Sequence, residues 1–305
     1  MNRFSTNSRV CFIGDSITAA GRFTEYIAQH YAEKLDSSGV RFYVGAVPGG
    51  TAASQRVFFK DDVLIYKPDH AVIMLGVNDS SSGVVTRQRG DEARYRIAYD
   101  CYENYKANLN ALIDLCEQNN IKVTLCSPTP YAEFQDEGCE PARGALVVMQ
   151  AYADYCRYLA EKRGLEFCDV YSYIVKEMQT ATLFGPDRVH PNVQGHYKIA
   201  ECILSSMGFN NYEPKELEGD FQKREEVRGK LSHIYATELM VLGLKRYELP
   251  LNEKYEYVKY YLENKLYRDN YFKDIAEKYL VNKPLQEELY KEYIKLTDIV
   301  SCYIK

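Results

Sequence analysis

Five short apolar, β-branched runs alternate along the chain with longer segments whose apolar residues recur every three or four positions. The runs, which predict strands, are Val10–Ile13, Arg41–Val47, His70–Leu75, Lys122–Cys126 and Leu165–Val170. The helical stripes between them are Phe23, Ile27, Tyr31 and Leu35; Tyr105, Leu109, Leu112, Ile113 and Cys116; and Val147, Ala151, Tyr155 and Leu159. Strands that alternate with helices join through right-handed crossovers. The pattern therefore predicts a doubly wound α/β fold, with three α/β/α layers around a five-stranded, mainly parallel, flavodoxin-like sheet.

The pattern changes after about Gly208. Residues 210–230 contain few aliphatic side chains and predict a solvated connector. Beyond His233, tyrosines and leucines recur at helical spacing in three stripes: Tyr257, Tyr260 and Tyr261; Tyr271, Ile275 and Tyr279; and Leu285, Leu289, Tyr293, Leu296 and Val300. We therefore divide the chain into an α/β domain at residues 1–208 and an α-helical C-terminal appendage at residues 209–305.

Two interpretations of the appendage remain open. Its helices either pack on the α/β domain or on a second copy in a homo-oligomer, or they form a cap or a sugar-stacking surface over a binding site. Tyrosines at helical spacing more often lie in a core or an interface than on a ligand platform, so we favour the first interpretation.

Composition and charge exclude several classes of function. The net charge of -5 over 305 residues gives no reason to expect a nucleic-acid partner. The start of the chain lacks the apolar core of a secretory signal and no apolar run is long enough to span a membrane, so we predict a cytoplasmic protein. The nine cysteines form no C-x-x-C pair. We expect Cys11, Cys126 and Cys168 to be reduced core residues rather than disulfides or zinc ligands.

Polar residues follow each predicted strand at the point where it ends. Ligands of parallel α/β sheets bind beyond the carboxyl ends of the strands, so these residues are expected to converge on one rim. They are Gly14-Asp15-Ser16 after the first strand, Ala46 to Thr51 after the second, Gly76-Val77-Asn78-Asp79 after the third, Ser127 to Pro130 after the fourth, and Gly185 to Asn192 beyond the fifth.

The residue types at this rim suit covalent catalysis by a serine. A hydroxyl such as that of Ser16 becomes nucleophilic when an imidazole removes its proton, and a carboxylate must orient that imidazole. Asp187 and His190 are three residues apart, so one tight turn can join them. The N–H groups of Gly49 and Ser16 and the Asn78 amide can hold the negative oxygen of a tetrahedral intermediate. This chemistry requires no metal and no organic cofactor.

The arrangement resembles the GDSL/SGNH hydrolase family, which is defined by serine, glycine, asparagine and histidine in four sequence blocks. Gly14-Asp15-Ser16 matches the first block, with Ser16 in the nucleophile position. Gly49 matches the second block, Gly76 to Asp79 the third, and Asp187 to Pro191 the last, which supplies the acid and the base. The resemblance covers about residues 8–208.

The chain departs from the family pattern in two blocks. Ile17 stands where the family name has leucine, and in the second block Val44 and Ala46 replace an asparagine and a first glycine. Gly50 leaves open which glycine donates to the oxyanion, although the spacing favours Gly49. Asp15 is an alternative to Asp187 as the catalytic carboxylate, and Asp187 is favoured.

Other polar residues of the sequence are candidates for substrate or metal contacts. His196 lacks the spacing and the acidic neighbours of a metal ligand, so we expect a capping or core role. Arg87, Arg89, Arg94 and Arg96, in an insert after Asn78, either bind an anionic group of the substrate or lie on a solvated segment, which we favour. Arg143, in a second insert after the fourth strand, is a further candidate for substrate contact.

The resemblance implies a serine esterase that acts on a small-molecule acyl ester. Acylated sugars are the leading substrate class, and hydrolysis of lysophospholipids or acyl-CoA thioesters is the main alternative. Transfer of the acyl group to an alcohol also remains open. A non-catalytic binding or assembly protein on the same fold is the alternative from another class.

Overall fold

The computed structural model describes residues 1–35, 39–81, 91–210, 212–213, 215–242 and 251–303. Five parallel strands form one sheet in the order β2-β1-β3-β4-β5, which is the predicted doubly wound topology. The strands are β1 Arg9–Gly14, β2 Arg41–Val44, β3 His70–Met74, β4 Lys122–Cys126 and β5 Glu166–Cys168. β1 pairs with β2 through Val10 and Phe42, and with β3 through Val10 and His70.

Helices flank the sheet and then continue beyond it. They are α1 Ser16–Ala20, α2 Arg22–Lys34, α3 Ala52–Val57, α4 Phe59–Asp62, α5 Asp91–Gln118, α6 Ala145–Arg163, α7 Val170–Glu177, α8 Val193–Ser206, α9 Gly219–Leu242, α10 Leu251–Glu263, α11 Asn270–Val281 and α12 Lys283–Tyr303. A 3₁₀ turn lies at Leu64–Tyr66. α2 packs on α8, and α3 packs on α5. Every residue of β1 after Arg9 is buried, as expected for a central strand covered on both faces.

Helix α6 forms where the spacing predicted it, but a different face is buried. Val147 is 74% exposed, and Ala151 is also exposed. Met149, Tyr152 and Cys156 form the buried face instead. The predicted stripe was therefore wrong at Val147 and Ala151, whereas its Leu159 is buried. Tyrosine, methionine and cysteine pack as well as the aliphatic side chains, so several stripes fit the same sequence.

The predicted solvated connector at residues 210–230 is wrong over its second half. Helix α9 begins there at Gly219, and Arg224 and Arg228 are buried, each paired with the fully buried carboxylate of Glu25 in α2. Part of the polar composition reflects this buried ionic contact, whereas Gln222, Lys223, Glu226 and Lys230 are exposed. Two arginines four residues apart share one helix face, which is the signal that could have indicated it.

The C-terminal helices bury two small apolar clusters of their own. One consists of Tyr255, Val258, Tyr261, Ala276 and Tyr279, and the other of Val227, Leu231, Leu289, Tyr293 and Leu296. α9 contacts α1 and α2, and α12 contacts β2, so this part of the chain packs on the α/β domain. Tyr260 and Tyr271, by contrast, are more than half exposed. Over the described part of the chain, no helix has the length and apolar character needed to cross a membrane.

Candidate active site

The turn from β1 into α1 presents Ser16 at the carboxyl edge of the sheet. Gly14 ends the strand, and a Cβ atom there would lie 2.1 Å from the Thr18 Oγ1, so only glycine fits. Asp15 then caps α1, because its carboxylate accepts a hydrogen bond of 2.9 Å from the Ile17 N–H. Ser16 is consequently the first residue of the helix, and it is partly exposed.

The loop after β2 is held in place by the residues that follow β3. The Asn78 amide donates to the Gly50 carbonyl at 3.1 Å, and the Asp79 carboxylate accepts from the Ala52 N–H at 2.9 Å. An amide nitrogen carries two hydrogens, so Asn78 retains a second donor. Gly49 adopts a left-handed φ of 74° and is exposed. The Gly50 N–H is already engaged by the Val47 carbonyl at 2.8 Å, which leaves Gly49 as the glycine suited to bind an oxyanion.

A closed loop carries Asp187 and His190. Its ends meet through an antiparallel bridge between Phe184 and Pro191, and the Gly185 N–H donates to the His190 carbonyl at 2.8 Å. Asn192 follows directly and caps α8 by accepting from the Gly195 N–H. The loop is thereby fixed between a bridge and a helix start.

Three side chains from two distant segments of the chain form one hydrogen-bonded series. The Ser16 Oγ lies 2.8 Å from the His190 Nε2, and the His190 Nδ1 lies 2.7 Å from the Asp187 Oδ2. The other Asp187 oxygen, Oδ1, accepts from the N–H groups of Val189 and His190, each at 2.9 Å. The geometry is that of a serine, a general base and a carboxylate that orients the base.

The pKa values of the two carboxyl groups near Ser16 are shifted in opposite directions. Partial burial raises the pKa of Asp187, but hydrogen bonds from the backbone of His190 and Val189 and from the imidazole outweigh it and leave the pKa below its ordinary value. Burial raises the pKa of Asp15 to about 6, although the Ile17 N–H opposes it. Asp187 is therefore the group suited to remain ionised beside an imidazolium, and Asp15 serves as a helix cap.

Among the described residues, no other candidate from the sequence takes part in this series of hydrogen bonds. Arg87 and Arg89 are outside the described residues, as is the side chain of Arg94, whereas Arg96 and Arg143 are exposed. His196 is buried and stacks on Phe23 with a 6.2 Å centroid distance, and burial lowers its pKa to about 3. It is a core residue. Within the described ranges, no group of three or more His, Cys, Asp or Glu side chains is placed to hold a metal ion.

Arg188 was missed by the sequence reasoning. It lies between Asp187 and His190, is 6% exposed, and has a left-handed φ of 65°. Its guanidinium donates to carbonyl groups of the loop after β4. The sequence gives little indication that this side chain is buried, because an arginine in a tight polar turn is ordinarily exposed to solvent.

Comparison with known proteins assigns this chain to one family. The profile of the GDSL-like lipase/acylhydrolase family matches residues 12–198, which is more than half of the chain. The chain belongs to this family and is an ester-bond hydrolase.

Individual relatives agree with this assignment. An acetylxylan esterase from Geobacillus stearothermophilus is 26% identical over 226 residues, covering 68% of this chain and 97% of that protein. A crystal structure of a catalytic mutant of an acetylxylan esterase from the same organism aligns with a TM-score of 0.57 at 23% identity, covering 70% of this chain and 99% of that chain. A gut microbial diltiazem-metabolizing enzyme aligns with a TM-score of 0.74 at 15% identity, covering 100% of this chain and 97% of its own, a likeness of fold alone.

Proposed function

We propose that this esterase removes short acyl groups, acetyl above all, from acylated carbohydrates through an acyl-enzyme on Ser16. The observation that carries the mechanism is the unbroken hydrogen-bonded series from the Ser16 hydroxyl through His190 to Asp187. The substrate class is supported by the similarity to the acetylxylan esterase.

The first half-reaction transfers the acyl group to Ser16. The His190 Nε2 takes the hydroxyl proton as the Ser16 Oγ attacks the ester carbonyl carbon. The carbonyl oxygen becomes negative, and the N–H groups of Gly49 and Ser16 and the free Asn78 amide hydrogen stabilise it. Asp187 remains ionised and stabilises the imidazolium through the 2.7 Å hydrogen bond. His190 then gives the proton to the departing alcohol oxygen as the ester bond breaks.

The second half-reaction uses water as the acceptor. His190 removes a proton from a water molecule, whose oxygen attacks the acyl carbon and re-forms the tetrahedral intermediate at the same oxyanion donors. Collapse of that intermediate breaks the bond to Ser16, and the imidazolium returns its proton to the Oγ. The products are the free carboxylic acid and the unmodified enzyme.

A substrate comparison tests the proposal. Acetate release from acetylated xylo-oligosaccharides and turnover of p-nitrophenyl esters of increasing chain length should both be measured. We expect activity on the acetylated sugar, a fall in kcat/KM as the acyl chain lengthens, and a loss of at least about 10³-fold in kcat for Ser16→Ala. Ser5→Ala is the matched control, because Ser5 is exposed and precedes β1 at the opposite edge of the sheet. Rising activity with acyl length would instead favour a lysophospholipase or thioesterase.

A further inference from the structure

Arg188 makes an unusual set of contacts for an arginine in a surface turn. Its Nε donates to the Cys139 carbonyl at 2.6 Å, and its Nη1 lies 3.0 Å from the Ala132 carbonyl and 3.3 Å from that of Glu133. The Gln135 carbonyl also accepts from Nη1. One buried guanidinium thus binds four carbonyl groups spread over residues 132–139.

Backbone contacts join the same two segments. The Ala132 N–H donates to the Arg188 carbonyl at 2.9 Å, and the Cys139 N–H donates to the Pro186 carbonyl at 2.7 Å. The Gln135 side chain adds a longer hydrogen bond of 3.3 Å to the Gly185 carbonyl. The loop at residues 132–139 and the loop that carries Asp187 and His190 are therefore cross-linked on both sides of Arg188.

Ala132 is buried, but the rest of the loop at residues 132–139 is exposed or partly exposed. A cavity of about 720 Å³ opens beside it, lined by residues of this loop, by Pro186 and by the segment after α7. Phe134, at the wall of this cavity, is 78% exposed. The Glu133 carboxylate accepts from the N–H groups of Gly144 and Leu146 at the start of α6, at 2.7 and 3.1 Å. The guanidinium of Arg188 supplies four further hydrogen bonds, which tie this loop to the loop that carries Asp187 and His190.

The backbone of Arg188 points to the same role. A φ of 65° is strained for a residue with a side chain, and glycine would adopt it freely. If the turn needed only this backbone conformation, glycine would be the more favourable residue at position 188. The guanidinium contacts supply the stabilisation that offsets the strain.

We propose that Arg188 is a positioning residue, which holds the Asp187–His190 loop against residues 132–139 so that the imidazole stays aligned with the Ser16 hydroxyl. The proposal rests on the proposed function of Ser16, Asp187 and His190. Arg188 itself touches no reacting atom. A misplacement of about 1 Å in a catalytic group lowers the rate by up to about 100-fold. A side chain that maintains this alignment therefore contributes to the rate without taking part in the chemistry.

Two variants of Arg188 separate the guanidinium from the backbone shape. Arg188→Gly keeps the left-handed backbone accessible and removes every side-chain contact. Arg188→Lys keeps the charge, but a point-like ammonium cannot reproduce a fork that binds several carbonyls. The matched control is Arg163→Ala: Arg163 donates to the Asn110 carbonyl and to Asp114 and Glu117, and it lies just before β5, at the edge of the sheet away from Ser16.

The test is the steady-state hydrolysis of p-nitrophenyl acetate, corrected for the active fraction by titration with a fluorophosphonate. We expect Arg188→Gly to lower kcat per active site by about 10- to 100-fold with little change in KM, and Arg188→Lys to recover only part of that loss. Added guanidinium at a non-denaturing concentration should raise the kcat of Arg188→Gly and leave that of Arg163→Ala unchanged.

Two results would overturn the proposal. The first is that Arg188→Gly has the kcat of the wild type per active site, so that any loss of total activity comes from a smaller active fraction. Arg188 would then be a purely structural residue. The other is a loss confined to KM. Failure of the proposed function is distinguished by Ser16→Ala, which would then retain turnover. The kcat values of the Arg188 variants could still be compared with that of the wild type in that case.

Discussion

At the scale of single residues, the least expected feature is the buried carboxyl group of Asp79 beside the site. Its Oδ1 accepts from the Ala52 N–H, whereas its Oδ2 is buried without a hydrogen-bond partner among the described residues. Burial raises the pKa of Asp79 to about 7; the Ala52 hydrogen bond opposes this shift, and the neighbouring Asp15 adds to it. The family motif pointed to this residue, but no sequence pattern reports how deeply a carboxyl group is buried.

The raised pKa makes stability depend on pH in a defined direction. The folded protein keeps a proton on Asp79 up to about pH 7, whereas the unfolded chain releases it near about pH 4. The native state therefore binds more protons between these values, and the free energy of unfolding falls as pH rises through this range.

The prediction is that Asp79→Asn, which is neutral at every pH, flattens this dependence. Urea unfolding at about pH 5 and about pH 8 measures it, and the wild type should lose more stability than the variant between the two. Asp61→Asn is the matched control, because Asp61 is exposed, and it should keep the wild-type slope. An equal slope in Asp79→Asn and the wild type would show that Asp79 is already ionised in the folded protein.

At the scale of elements, the strands and the helices between them can be predicted from the sequence. The face that each helix buries is predicted less accurately. The parallel sheet is recovered because its apolar runs are covered on both faces and are bounded by turn residues. Helix α6 shows where this reasoning fails, since its tyrosines and cysteine are buried and Val147 is exposed. α9 shows the second failure, because two arginines of this polar segment are buried in ion pairs with Glu25.

The contact of α9 with α2 depends on one buried carboxylate. Glu25 is fully buried and lies 2.7 Å from the Arg224 guanidinium, and it also pairs with Arg228. Arg228 in addition donates to the Gly21 carbonyl at 3.1 Å, at the end of the helix that Ser16 begins. The charges are therefore compensated as a group, and removal of the carboxylate leaves two arginines buried without it.

We predict that Glu25→Gln destabilises the protein by about 3–5 kcal/mol, because breaking a buried ion pair leaves an uncompensated charge. Chemical denaturation measures the change. Glu33→Gln is the control on the same helix, since the pair of Glu33 with Lys215 is largely exposed, and it should be nearly neutral. A Glu25→Gln protein as stable as the Glu33→Gln protein would mean that the buried pair contributes nothing to the contact between α2 and α9.

At the scale of the whole molecule, topology explains why the residues of the candidate site could be predicted from the sequence. Ser16, Asn78 and His190 are far apart in the chain, but each follows a strand or a crossover that ends at the same edge of one parallel sheet. The contacts of Arg188 could not be found in this way, because they join two irregular loops whose path no periodicity describes.

The C-terminal helices follow the segment that the family profile matches, residues 12–198. The acetylxylan esterase structure is covered over 99% of its own length by 70% of this chain. The diltiazem-metabolizing enzyme, by contrast, covers 100% of this chain. The division at residue 208 and a homo-oligomer formed through these helices stay predictions. The described contacts of α9 and α12 with α1, α2 and β2 show that this region also supports the domain that carries Ser16.

The central claim is that Ser16 is the nucleophile activated by His190. The most direct measurement is labelling of the native protein with a fluorophosphonate, followed by peptide mapping of the adduct by mass spectrometry. We predict one adduct per chain, located on Ser16, and a labelling rate that falls sharply in His190→Ala. An adduct on another residue, or none on the folded protein, would contradict the account.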